Sequence, residues 1–259
     1  SQLSSGVNAI YSSTYGFSAF KEDGAVVAWG RLGSLSSAYI LASSVASELS
    51  SGVTEVFSSD RAYAALKLDG SVVTWGSRNY GGDSSSVSSE LSSGVTEVFS
   101  SSNSWAFAAL KEDGSVVTWG YSEYGGDSSS VTSQLSSGVS TIFSNRYAFA
   151  AVKEDGSVVT WGESDRGGDS SSVALKLSSD VVEIFSTYWA FAALKEDGSV
   201  VTWGVSEHGG DSSSVASQLS SGVTEVFSTS FAFAALKEDG SVVTWGESID
   251  GGDSSSVAS

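Results

Sequence analysis

One passage recurs six times along this chain, and its period restricts the fold more than any other feature. The Trp-Gly pair of each copy falls at Trp29, Trp75, Trp119, Trp161, Trp203 and Trp245, in steps of 46, 44, 42, 42 and 42 residues. With small substitutions, each copy reads V-x-x-V/I-F-S, a variable stretch, A-F-A-A-L-K-E-D-G-S-V-V-T-W-G and a second variable stretch, followed in all but the first by G-G-D-S-S-S-V. A repeat of this length is one supersecondary unit that buries its apolar faces only against its neighbours.

The last copy shows what the unit is. Val223 to Ser228 is β-branched and aromatic, and reads as a strand. Ala232 to Lys237 is too short for a helix and lies one turn from a definite strand, so it reads as the second. Glu238-Asp239-Gly240 is a hairpin turn. Ser241 to Trp245 is the third strand, and Ser254 to Ala258 a weak outer fourth. The expected fold is therefore all-β: one domain over residues 1–259, a six-bladed β-propeller of four-stranded antiparallel blades. The end Ser256-Val257-Ala258-Ser259 joined to the start Ser1-Gln2-Leu3-Ser4-Ser5-Gly6-Val7 nearly rebuilds the internal junction Val215 to Val223. That match predicts a closed, monomeric ring, with the repeated Trp as packing residues between blades.

Composition narrows the function. The formal charge is −18, from 30 acidic against 12 basic residues. A polyanion is repelled by phosphate, so neither nucleic acid nor an anionic membrane surface is an expected partner. No apolar run is long enough for a membrane-spanning helix. Cys is absent, which removes disulfides, thiol nucleophiles and thiolate metal sites. The chain lacks Met and begins at Ser1, as expected of a processed or excised product.

The run A-L-K-E-D-G-S-V-V-T-W-G, preceded by V-x-x-V/I-F-S, resembles the repeat of the regulator-of-chromosome-condensation family of propellers. The resemblance covers essentially the whole chain. It implies a propeller fold, and a range of activities from nucleotide exchange to inhibition of secreted enzymes. The family usually has seven blades, and this chain has six copies. A His common before the family's second strand is replaced by Ala62, Ala106, Ala148, Ala190 and Ala232, with Gly16 in the first copy. Gly-Gly-Asp, as at Gly81-Gly82-Asp83, stands where the family has Gly-Gln-Leu-Gly.

Two segments differ between copies: one joins the first and second strands, the other follows the Trp-Gly. In an up-down-up-down blade, connections separated by two strands emerge on the same face. All five Arg residues, including Arg31, lie in these segments, as does the single His. Six of the seven Lys lie in the constant turns. Aromatic and Arg residues are the anchors of interfaces. The candidate binding residues are Tyr15, Arg61, Trp105, Arg146, Tyr147, Trp189 and Phe231 from the first segment. Arg78, Tyr80, Tyr124, Arg166 and His208 come from the second.

Other chemistry is thin. A catalytic triad has only His208 to draw on, in the loop Ser206-Glu207-His208. One carboxylate per copy in the Gly-Gly-Asp run is poor for Ca²⁺, and an Asp capping the following Ser turn is simpler. Glu55, Glu97, Glu183 and Glu225 form at most an incomplete acidic collar, since Ala9 and Thr141 interrupt the series. No phosphate-binding loop occurs. The expected function is a non-catalytic binding module without metal or cofactor, for protein or glycan, outside the cell or at its surface. The alternatives are a protein inhibitor of an enzyme, and a structural or designed consensus propeller without a ligand.

The charge excess generates a first prediction. Self-repulsion should weaken the fold at low ionic strength, so the melting temperature should climb from very low to physiological salt. A flat profile would contradict it.

Overall fold

The computed structural model describes residues 2–30, 39–100 and 104–257. It comprises two compact units, Ser1–Ser128 and Ser129–Ser259. Each holds three copies of the repeat, and each copy forms one antiparallel sheet. In the first unit these are β1 (Val7–Ser13), β2 (Gly16–Lys21) and β3 (Val26–Gly30), followed by a two-residue β4 (Tyr39–Ile40). Then come β5 (Val53–Ser58), β6 (Ala62–Lys67) and β7 (Val72–Ser77), and β8 (Val95–Phe99), β9 (Ala106–Lys111) and β10 (Val116–Gly120). The second unit has β11 (Val139–Ser144), β12 (Ala148–Lys153) and β13 (Val158–Gly162), then β14 (Val181–Ser186), β15 (Ala190–Lys195) and β16 (Val200–Gly204). It ends with β17 (Val223–Ser228), β18 (Ala232–Lys237) and β19 (Val242–Gly246). Six repeated antiparallel sheets without α-helix among the described residues are consistent with six propeller blades.

The expected four-stranded blade is corrected. Five sheets have three strands. The fourth strand of the remaining sheet is β4, which comes from the preceding copy of the repeat and pairs with β7. The Gly-Gly-Asp-Ser-Ser-Ser-Val run forms a turn instead of an outer strand. Over Ser254 to Ala258 the described residues, 254–257, make no ladder. The reason is side-chain competition: Asp and Ser offer the backbone local partners in place of a neighbouring strand. The Asp169 carboxylate accepts the Ser171 N–H at 2.8 Å, and Val173 N–H closes a turn on Ser170 O at 3.0 Å. Side chains then hold the segment to the third strand, as where Thr160 Oγ1 meets Ser170 Oγ at 3.0 Å and Thr202 Oγ1 meets Ser212 Oγ at 3.0 Å.

The three inner strands follow their residues. A bulge recurs at the start of each first strand, as between Val53 and Glu55. Thr54 occupies it and bonds the Leu66 carbonyl at 3.1 Å, as Thr96 bonds Leu110 O. The Asp-Gly turn joins the second and third strands, with Gly240 N–H on Lys237 O at 2.9 Å and Ser241 N–H on Asp239 Oδ1 at 2.9 Å. Leu49, Leu91, Leu135, Leu177 and Leu219 anchor the return segments, all fully buried.

Blades pack small residues against large ones. In the first unit Ala62, Ala64 and Leu66 of β6 meet Val98, Phe107, Ala109 and Trp119 of the next blade. In the second, Ala190, Ala192 and Leu194 meet Val226, Phe233, Ala235 and Trp245. The alternation lets the sheets approach closely without voids. Trp75, Trp119, Trp161, Trp203 and Trp245 are buried, and each described copy stacks its Trp on the Phe or Tyr of its second strand, as at Phe107 and Trp119, 5.3 Å apart. Trp29 departs from the expectation of burial. It is 37% exposed, and so is its stacking partner Phe17, at 46%. The pair keeps the stack of the other copies while remaining partly open to solvent.

A glycine makes the close approach possible. Gly209 has φ +96°, and a Cβ there would lie 2.5 Å from Phe233 Cδ2 of the next blade. Its carbonyl accepts the Trp245 indole N–H at 3.1 Å. Gly251 has φ +105°, but a Cβ there would meet nothing within 4 Å. Ala at either site bears the same left-handed strain, so the difference isolates the packing. Gly209→Ala should cost about 1–3 kcal/mol more than Gly251→Ala in urea unfolding. Equal losses would show that the glycine does not set the blade spacing.

Candidate interaction rim

The two variable segments of a blade are tied together by one side chain. It sits just after the first strand, at Ser59, Asn145, Thr187 or Thr229. Asn145 Oδ1 accepts the N–H groups of Tyr147 at 2.7 Å and Ala148 at 2.8 Å, which folds the first segment into a tight turn. Its Nδ2 donates across to Arg166 O at 2.8 Å, in the second segment. Thr187 donates likewise to His208 O at 3.1 Å, Ser59 to Tyr80 O at 3.2 Å and Thr229 to Asp250 O at 3.1 Å. Both segments of each of these blades therefore share one rim, and the Asp-Gly turns lie at the opposite ends of the strands.

In the first unit the rim is largely aromatic. The Arg61 guanidinium lies 5.2 Å from the Tyr15 ring centre and 4.7 Å from that of Tyr80. It is also ion-paired with Asp60 at 3.0 Å. Tyr80 meets Trp105 edge-on at 4.9 Å, and Trp105 meets Tyr124 at 4.7 Å and Tyr121 at 5.5 Å. The Trp105 Nε1 is buried without a hydrogen-bond partner. Arg78 is ion-paired with Asp83 on its own loop.

In the second unit cations and rings alternate. Arg166 lies 4.2 Å from the Tyr147 ring centre and 5.4 Å from that of Trp189, and is ion-paired with Glu163 at 2.9 Å. The Arg146 guanidinium also approaches Tyr147, at 5.4 Å from the ring centre. His208 stands edge-on to Trp189 at 4.3 Å and 5.0 Å from Phe231. Its Nδ1 is 3.3 Å from Glu247 Oε2, close enough for an ion pair on protonation but outside hydrogen-bond geometry. Tyr147 and His208 are buried within this layer, whereas Tyr188 is exposed and meets Phe231 at 5.5 Å.

All twelve sequence-derived candidates thus belong to the rims of the two units, six in each. Arg31 and Asn103, which also fall in the variable segments, lie outside the described residues. Tyr121, Tyr188 and Glu247 join the clusters although sequence reasoning did not single them out. Their only signal was their place in the same variable stretches.

The remaining carboxylates have local roles. Asp169, Asp211 and Asp253 each accept a backbone N–H two residues on, the turn-capping role expected of them. These bonds hold their carboxyls below the ordinary range. Glu97 is pushed up by partial burial and by the Glu55 carboxylate. No helix among the described residues is long and apolar enough to cross a membrane.

No family model matches this sequence, and no curated protein does. Solved structures are similar to it. Human WBSCR16 superposes with a TM-score of 0.52 at 17% identity, over 96% of this chain and 79% of that one. Prp20p of Saccharomyces cerevisiae, studied with its binding to Gsp1p and histones, gives 0.48 at 16%, over 93% and 72%. The ectodomain of the Physcomitrella patens receptor kinase CR4 gives 0.45 at 13%; the match covers 93% of this chain and 61% of that ectodomain. The structural likeness is to RCC1-like repeat propellers.

The carboxylates predict how stability responds to acid. Asp113, Asp155, Asp197 and Asp239 are held low by the hydroxyl and N–H of the Ser two residues on. A lowered folded value means stability that is present above the unfolded Asp value, about 4, and lost as pH falls through the folded one. Glu97 has the opposite sign: its charged form carries a cost that protonation relieves. The urea midpoint should therefore fall steadily below about pH 4. Glu97→Gln should raise it at neutral pH and leave it unchanged in acid. A midpoint that stays level into strong acid would contradict the first expectation.

Proposed function

We propose that this chain is a non-catalytic binding module that docks a protein on the variable rim. The observation that carries this reading is that each unit sets Arg among rings on the rim side of its blades, Arg61 in the first unit and Arg146 and Arg166 in the second. Rings and guanidinium groups that already brace one another lose little freedom when a partner arrives, which is the economy of a preorganised interface. Tyr and Trp supply large contact areas with few rotatable bonds.

Protein is favoured over glycan by how the rings are used. A sugar stacks on an open ring face. Trp105 has Tyr80, Tyr121 and Tyr124 about it, and Trp189 has Arg166, His208 and Phe231. Rings so surrounded leave few free faces for a sugar to stack on, and large aromatic surfaces of this kind are common protein anchors. We further propose an extracellular or cell-surface setting, which a net charge of −18 suits.

The test is an array of secreted and cell-surface ectodomains, with a glycan array in parallel. A protein hit is expected, and Tyr121→Ala and Tyr188→Ala should each weaken it by about tenfold or more. Glu112→Ala and Glu196→Ala, on the turn side, should leave it unchanged. A hit on glycans alone, or a protein hit that ignores the rim changes, overturns the reading.

A further inference from the structure

We propose that the rim residues are also a pairing code, which tells one blade from another where the buried contacts recur. The inference goes beyond partner binding and does not depend on it.

Adjacent blades touch through two kinds of contact. The first kind is constant. A glycine beneath the next blade's Phe, with its carbonyl accepting the next indole N–H, recurs for Gly81 and Trp119 at 3.0 Å, Gly167 and Trp203 at 3.0 Å, and Gly209 and Trp245 at 3.1 Å. Backbone bonds recur too: Asp60 N–H reaches Ser104 O at 3.0 Å, and Tyr188 N–H reaches Ser230 O at 2.9 Å. Ser100 bonds Ser58 O and Ser186 bonds Ser144 O, both at 3.1 Å. Where they recur, these contacts do not tell one blade from another; the first seam departs from them, with the Trp75 indole N–H unpartnered and Tyr63 Oη donating to Gly16 O at 2.6 Å.

The second kind differs between seams. One position of the second variable segment reaches forward to the first segment of the next blade. It makes a Tyr80–Trp105 pair, an Arg166–Trp189 pair and a His208–Phe231 pair. The last carries the Glu247 carboxylate on the imidazole. The first seam differs again: there the contact joins two first segments, Tyr15 with Arg61, beside a Thr14–Asp60 hydrogen bond. Each partner suits the other: ring edge on ring, guanidinium on indole, imidazole between ring and carboxylate. Independent drift of the loops gives no reason for a complementary contact at each of these seams.

The physical need is plain. Chain connectivity orders the blades within one molecule but not between molecules. Near-identical repeats are prone to pair out of register with another copy during folding. Contacts that fit only one neighbour disfavour those pairings, as unlike polar and charged positions do in coiled coils.

The experiment uses the full chain and no partner, so its outcome is separate from that of the binding reading. The triple variant Y80R/H208R/F231W gives three seams the same Arg–Trp pair, since Trp105 and Trp189 are already present. The quadruple variant R166H/W189F/H208R/F231W exchanges the pairs of two seams and keeps them unlike. Each is unfolded in denaturant and refolded over a range of protein concentrations, and the fraction at the native elution volume is measured. The equalised chain should lose native yield several-fold as concentration rises, while the exchanged chain follows the wild type. Equal yields for all three, or equal losses in both variants, overturn the code. A second measurement does not require the equalised chain to fold. Arg166→Ala and Trp189→Ala, singly and together, should show non-additive losses of stability, and strict additivity overturns the proposal.

Discussion

The contact between a left-handed glycine and the next blade's Phe-Trp stack, made by Gly81, Gly167 and Gly209, is the constraint from which the blade spacing there follows. Gly167 illustrates it: a Cβ would sit 2.5 Å from Phe191 Cδ2, and the glycine carbonyl holds the Trp203 indole. A side chain at that point would push the sheets apart and open the Ala-to-Phe core between them. The same contact fixes where variation is tolerated. The second variable segment leads directly into the glycine, so its last residue, such as Arg166, is delivered to the seam with the next blade. Constancy of the core and variety of the rim are two consequences of one geometry.

The charge distribution follows the same division. Lys side chains serve the constant architecture: Lys111, Lys153, Lys195 and Lys237 donate to backbone carbonyls of the return segments at 2.6–3.0 Å. Arg serves the rim, where its flat guanidinium covers rings and still pairs with a carboxylate. A compact ammonium does the first task well and the second poorly. The rim layer is thus stiffened from within.

Much of the fold was legible in the sequence because its causes are local or periodic. The β-branched runs, the Asp-Gly turn and the six-fold period marked three strands per copy, and strand parity put both variable segments on one rim. Strand β17 and strand β18 have the bounds that their residues suggested, and β19 is displaced by one residue. The outer strand was misread because the Ser-rich run was judged by its place in a blade. Its own chemistry, a carboxylate and hydroxyls competing for the backbone, turned it instead.

What the sequence by itself determined is the repeated unit, its three strands, its turn and the separation of a constant scaffold from variable loops. Tertiary structure alone decided which variable residues meet. The bridge from Asn145 to Arg166 O spans two strands and a turn, and the Arg166–Trp189 contact crosses from one blade to the next. It also decided that Trp29 is exposed while Trp75 is buried, although both close the same motif. Propensity and pattern act along the chain and are written there. Burial and side-chain pairing depend on which surface another part of the chain brings opposite, and that exists only once the sheets have packed.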